Sequence, residues 1–161
     1  PAPDPAIFLS SVGLGLLLSG IWYWHTDAGW KSREFYRPAL SQMALDIGSH
    51  ARAFYSAQDD NDYFKMQNAA HEASSRQISW LNDNVGGIAA KAYGSANGEP
   101  NYLVKNTRLS PAIDKRRAQY TAELYGKATY LENLRKDDSE WPKRPSEIVR
   151  MKGIPRYKSA Q

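Results

Sequence analysis

The chain has 161 residues, with 21 Lys and Arg against 17 Asp and Glu, and no cysteine. The lack of cysteine excludes disulfides, thiolate metal sites and thiol nucleophiles, and the length suits one small domain beside an N-terminal apolar run. A formal net charge of +4 is too mild to mark a nucleic-acid binder, which carries a denser basic patch.

Residues 6–24, AIFLSSVGLGLLLSGIWYW, contain no charge, and none occurs between Asp4 and Asp27. As a helix this run is about 28 Å long, close to the hydrocarbon thickness of a bilayer. It is apolar on every face, whereas a core helix keeps a polar side, and PAPDP before it lacks the basic n-region of a signal peptide. A membrane span is therefore expected within residues 1–26. Pro3 and Pro5 suit its first turn. Trp22, Tyr23 and Trp24, with Trp30 further on, supply aromatic rings of the kind that settle at headgroup level.

No basic residue precedes the span, while Lys31, Arg33 and Arg37 follow it, so the N-terminus is expected outside and the remainder on the cytoplasmic or matrix side. These residues with Trp30 form the expected membrane interface, where basic side chains meet anionic lipid. A chain starting at Pro1 is expected to follow removal of an initiator Met or a presequence. Ser11, Gly15 and Ser19 recur every four residues, a spacing that lets another membrane helix approach closely. Gly13 and Gly20 are expected to add a neighbouring small stripe.

Residues 27–136 read as a helical domain. After a junction to Pro38, a first helix is expected over 39–56, with Leu40, Met43, Ala44, Ile47, Ala51 and Phe54 on one face. The run AQDDND at 57–62 breaks it, and its acids suit a new helix N-terminus. It lacks the Gly and Glu of a calcium loop. A second helix is expected over 61–84, with the stripe Phe64, Gln67, His71, Ser74, Ile78 and Leu81, continuing past Gly86 and Gly87 to about Tyr93. Residues 94–101 form a loop, and Tyr102 to Val104 a short extended piece. Ser110 as N-cap and Pro111 at the first position start a helix to Lys136. Ile113, Tyr120, Leu124, Leu131 and Leu134 line it, and Arg117 and Lys127 interrupt the seam.

Outside the apolar run the chain is rich in Ala and Tyr and poor in larger aliphatics. It is expected to complete its burial against other chains. Residues 137–161 form an extended tail; from Trp141 it carries six basic residues and one acidic residue. Trp141, Ile148, Met151, Ile154 and Tyr157 are its expected anchors on another subunit. The fold class is all-α: one N-terminal transmembrane helix, a small matrix-side helical domain and an extended C-terminal tail.

No catalytic constellation emerges, and no enzyme activity, cofactor or metal is expected. His25, His50 and His71 make no ligand pair at helical spacing. A G-x-S-x-G elbow and the Gly-rich phosphate loops are absent. Lys115, Arg116 and Arg117 are the best nucleic-acid candidate, but they read as a solvated or interfacial face, so no nucleic-acid partner is expected.

This organisation resembles the small supernumerary subunits of mitochondrial inner-membrane energy-transducing complexes: one N-terminal span, a short matrix-side helical domain and a basic, Pro-containing tail. The resemblance implies a non-catalytic accessory subunit of a large membrane complex, with respiratory complex I first and an accessory or peripheral-stalk subunit of ATP synthase second. It places the N-terminus in the intermembrane space, the domain in the matrix, and other subunits and membrane lipid as partners. A membrane-tethered adaptor or assembly factor is the other reading.

Overall fold

The computed structural model describes residues 4–25, 36–99, 104–142 and 153–160. Among them every regular element is helical: α1 (Pro5–His25), α2 (Tyr36–Ala53) closed by a 3-10 turn (Phe54–Ser56), α3 (Asp60–Asn84), α4 (Gly87–Gly94), α5 (Pro111–Lys136) and a 3-10 turn (Asp138–Glu140). Of the expected elements, Tyr102 and Leu103 lie outside the described residues.

Helix α1 starts where its local chemistry directs. Pro5 needs no hydrogen-bond partner in the first turn, and the Asp4 carboxylate accepts the Ala6 N–H at 2.9 Å. Its 21 residues make a rod of roughly 31 Å. It is long and apolar enough to cross a membrane, and every described side chain on it is exposed.

The domain is a three-helix bundle in which α2 runs antiparallel to both α3 and α5. The start of α2 meets the end of α3, since the Tyr36 hydroxyl donates to the Asn84 carbonyl at 2.9 Å. The end of α5 reaches the same place, with Tyr36 and Trp141 ring centroids 5.0 Å apart. At the opposite end, Asn106 donates to the Ala57 carbonyl at 3.0 Å and Ser110 N–H to Asp60 at 2.9 Å.

Leu40, Met43, Ala44, Ile47, Ala51 and Phe54 of α2 and its closing turn are all buried, on the expected face. The helix begins earlier than expected, at Tyr36, because Pro38 falls in the first turn where its missing N–H costs nothing. Asp59 caps α3 by accepting the Asp62 N–H at 2.7 Å, and Asp62 reaches back to the Gln58 N–H at 2.8 Å. The acidic run is thus a helix start, as its sequence suggests.

The buried face of α3 differs from the expected stripe. Tyr63, Ala70, Ala73, Ser74, Gln77, Trp80, Leu81 and Asn84 are buried. Phe64 and Ile78 remain 39% and 36% exposed. The face is rotated by about one residue, some 100°, because Tyr63 and Trp80 go inside and Gln77 enters with its amide paired. At the α3–α4 break, Gly86 takes φ +150°, a conformation that excludes side chains with a Cβ.

Helix α5 buries Tyr120, Leu124, Leu131 and Leu134 as expected, but Arg117 and Lys127 are in its seam rather than interrupting it. Arg117 donates to Asp114 at 2.9 Å and to the Val104 carbonyl. Asp114 also accepts the Asn106 N–H at 3.0 Å, tying the preceding loop to the helix. Ser110 makes no side-chain cap; its N–H goes to Asp60 instead. Gly126 allows the 95–99 loop to lie on α5, since a Cβ there would sit 2.3 Å from the Asn97 carbonyl carbon.

Three helix C-termini are closed by side chains from elsewhere. The last carbonyls of a helix have no partner within it. Tyr36 takes that of Asn84 in α3, and Lys127 Nζ takes those of Tyr93 and Gly94 in α4, both at 3.0 Å. Trp141 Nε1 takes that of Leu134 in α5 at 3.0 Å. Burial holds the Lys127 ammonium below its ordinary pKa, with Glu123 opposing.

Candidate functional site

Two regions carry the features that bear on function: the face of α1 and the surface where the C-terminal segment meets α2 and α3. On α1, no heavy atom outside the local helix lies within 4 Å of where a Cβ would stand on Gly13, Gly15 or Gly20. The Ser11 hydroxyl donates to the Ile7 carbonyl at 2.8 Å, so this polar group is satisfied within the helix. Ser11, Gly15 and Ser19 drift by about 40° per step and stay on one side. Gly13 and Gly20 lie roughly 140–160° around the helix from Gly15 at 100° per residue. They form a separate, nearly opposite face rather than the neighbouring stripe expected from spacing alone.

Trp22 is exposed, and the backbone of Tyr23 and Trp24 continues α1. Arg37 belongs to the first turn of α2, where its guanidinium carbon lies 5.6 Å from the Trp141 ring centroid. Trp30, Lys31 and Arg33 fall outside the described residues, as do Ile148 and Met151. The basic triplet is divided: Lys115 and Arg116 are exposed and Arg117 is fully buried, so it does not form one solvated face.

The tail anchors are used at home. Trp141 and Tyr157 are 2% and 8% exposed and belong to the chain's own core, with Ile154 partly buried beside them. By sequence they are expected on another subunit because the tail itself is extended and poor in core residues. In the fold, Tyr36 and Leu134 receive Trp141, and α2 with α3 receives Tyr157.

Residues 153–160 contain no regular element and cross α2 and α3. Trp80 Nε1 donates to the Pro155 carbonyl at 3.1 Å. The Tyr157 hydroxyl donates to Asp46 Oδ2 at 2.6 Å and accepts from Gln77 Nε2 at 3.3 Å. Gln77 is fully buried; it also donates to the Met43 carbonyl at 3.0 Å and accepts the Tyr93 hydroxyl. His50 Nε2 stands 3.7 Å from the other Asp46 oxygen. Burial, then the bond to Asp46, pushes the Tyr157 phenol up to about 12. Burial also raises Tyr93. Both phenols are therefore protonated donors at neutral pH.

This network holds a segment in place; it does not align a nucleophile with a base. Among the described residues, no three His, Asp or Glu side chains gather as metal ligands do. Sequence reasoning missed Asp46, Gln77, Trp80 and Tyr93 as a set. The available signal was Gln77 and Asn84, two amides seven residues apart, within one helix that must bury a face. No family model, no curated protein and no solved structure matches the chain.

Proposed function

We propose that this chain is a non-catalytic accessory subunit of a mitochondrial inner-membrane complex, with respiratory complex I first and ATP synthase second. In this reading α1 is the membrane span, its N-terminus faces the intermembrane space, and the domain lies in the matrix. The observation that supports it most is the contrast between two parts of one chain. The domain buries most of its own described aromatic residues, including Trp141 and Tyr157 of the tail. Every described side chain of α1 is exposed, so that helix requires lipid and other helices to cover it. Packing against a neighbouring span is favoured where small residues let backbones approach, and Gly15 stands open on such a face.

The test is extraction in mild detergent followed by native separation, with the comigrating chains identified by mass. Comigration with a large complex is expected; migration as an isolated monomer refutes the reading. Gly15→Leu is expected to weaken retention in that complex, and unchanged retention removes the packing role of that face. The self-closed domain supports a second reading, a membrane-tethered adaptor or assembly factor. A chain that copurifies with assembly intermediates and leaves the mature complex would favour it.

A further inference from the structure

Receptor and segment can be distinguished at the α2–α3 surface. On the receptor side the buried amide at its centre is held without help from the segment, while Asp46 and Trp80 present a carboxylate and an indole N–H to it. The Gln77 amide is fixed by the Met43 carbonyl and the Tyr93 hydroxyl, and Asp46 stands beside His50, one turn away on α2. Trp80 is 8% exposed with the segment seated, and its indole N–H is directed at the segment's Pro155 carbonyl. On the segment side, the named hydrogen bonds converge on two groups two residues apart, the Pro155 carbonyl and the Tyr157 hydroxyl. Arg156 between them and Lys158 after them are exposed. An aromatic N–H reading a carbonyl of an extended Pro-containing segment, with a pocket for one side chain, is how docking sites for such peptides work.

We propose that the surface formed by Met43, Asp46, Gln77 and Trp80 is a recognition site for an extended Pro-x-Tyr segment. Gly153–Ala160 occupies it as an exchangeable strap, and the same segment of a second copy can take its place. The two helices that carry the site, α2 and α3, pack on each other directly and α2 also packs on α5, so the site has a frame apart from the strap. Preorganisation lowers the cost of rebinding. The occupant is a second copy's segment because the site already fits that sequence, and exchange of an identical element between protomers is a low-cost route to association. In one chain the covalent tether gives the strap an effective concentration of order millimolar, so a free peptide competes poorly with it.

The experiment uses the full chain in detergent micelles and a labelled peptide of sequence GIPRYKSA. The peptide is titrated to about 5 mM, above the effective concentration of a short tether. Tyr157→Phe removes the strap's hydroxyl and leaves its ring. The peptide is expected to bind this variant saturably and at least tenfold more tightly than it binds the unmodified chain. A peptide with Phe in place of its Tyr should bind about tenfold more weakly or worse, as expected for losing a hydrogen bond to a charged group. Equal affinity for both chains, or no binding to a variant of unchanged helix content, overturns the proposal. A second measurement needs no variant. In the unmodified chain, amides of 153–160 are expected to exchange with solvent through an opening at least 100-fold more frequent than that of α2 and α5. Exchange of the segment only together with those helices also overturns it.

Discussion

Two glycine-to-alanine changes in helices should shift stability in opposite directions. Ala is preferred to Gly in a helix interior by about 1 kcal/mol, so helical propensity alone predicts a gain at both Gly48 and Gly126. At Gly48 the new methyl meets only Arg52 Nη1, at 3.3 Å, the far end of a flexible exposed side chain. The guanidinium steps aside, and Gly48→Ala should stabilise by about 0.5 to 1 kcal/mol. At Gly126 the methyl would lie 2.3, 2.5 and 2.7 Å from the carbonyl carbon, oxygen and Cα of Asn97. Carbon atoms rest at about 3.5 to 4.0 Å, so the 95–99 loop would have to retreat by roughly 1 Å. That loop begins where Lys127 grips the Tyr93 and Gly94 carbonyls, and backbone has no rotamer with which to evade. The upper end of the overpacking range, about 3 kcal/mol, therefore applies, leaving a net loss of about 2 kcal/mol after the propensity gain. Urea unfolding of the full chain in micelles, followed by helix content, measures both. With an m-value of roughly 2 kcal/mol/M, Gly126→Ala should lower the midpoint by about 1 M. A midpoint at or above that of the unmodified chain would refute the close approach of loop and helix.

Arg117→Met should cost about 3 kcal/mol, because it leaves Asp114 without its buried partner, while Lys115→Met and Arg116→Met should stay within about 0.5 kcal/mol. The same urea midpoints separate them, and equal effects at all three would return the triplet to the surface. Trp141→Ala should lose about 3 to 5 kcal/mol in an isolated chain; a loss seen only in a larger assembly would reassign that side chain to a partner. Alkali should loosen the domain. The Tyr157 pKa is about 12 in the fold against an ordinary 10, so the unfolded chain releases that proton first. The stabilisation is complete below pH of about 10 and is lost as pH rises through about 12. Tyr93 and Tyr120, both raised by burial, act in the same direction. Helix content and tyrosinate absorbance from pH 8 to 12 measure this, and Tyr157→Phe should flatten part of the decline. Stability constant across that range contradicts the assignment of the buried phenols.

Periodicity and punctuation were readable where a single residue type carries the signal. Aliphatics at 3-4 spacing located the buried face of α2, AQDDND the start of α3, and Pro111 that of α5. The face of α3 was not readable in the same way, because counting Phe64 and Ile78 as inward ignores two nearby rings, Tyr63 one position before Phe64 and Trp80 two positions after Ile78. Tyr63 and Trp80 decide that rotation, and Gln77 follows once Met43, Tyr93 and Tyr157 satisfy it. Arg117 and Lys127 looked like interruptions for the same reason. A charge enters a core only when carbonyls or carboxylates meet it, and the carbonyls that do so here belong to Val104 and to the end of α4, 13 to 34 residues away in sequence. Gly126 carried a signal that was passed over: a lone glycine within a helix of good formers.

The expectation that the tail serves another subunit rested on a shortage of aliphatic residues. The fold shows why that shortage does not leave the domain open. A Tyr or Trp side chain buries roughly 150 to 250 Å² and brings a polar tip that must find a partner. Here the tips are used where helices need them: Tyr36 and Trp141 close the ends of α3 and α5, and Tyr93 and Tyr157 meet on Gln77. Each ring therefore fills volume and satisfies a group that a Leu in its place would leave orphaned. The tail supplies two of these rings, so it completes the core rather than extending from it. Among the described residues, continuous uncovered apolar surface is then concentrated on α1. A change confined to α1 should alter association and leave the urea midpoint of the domain untouched, whereas a change at Trp141 should do the reverse.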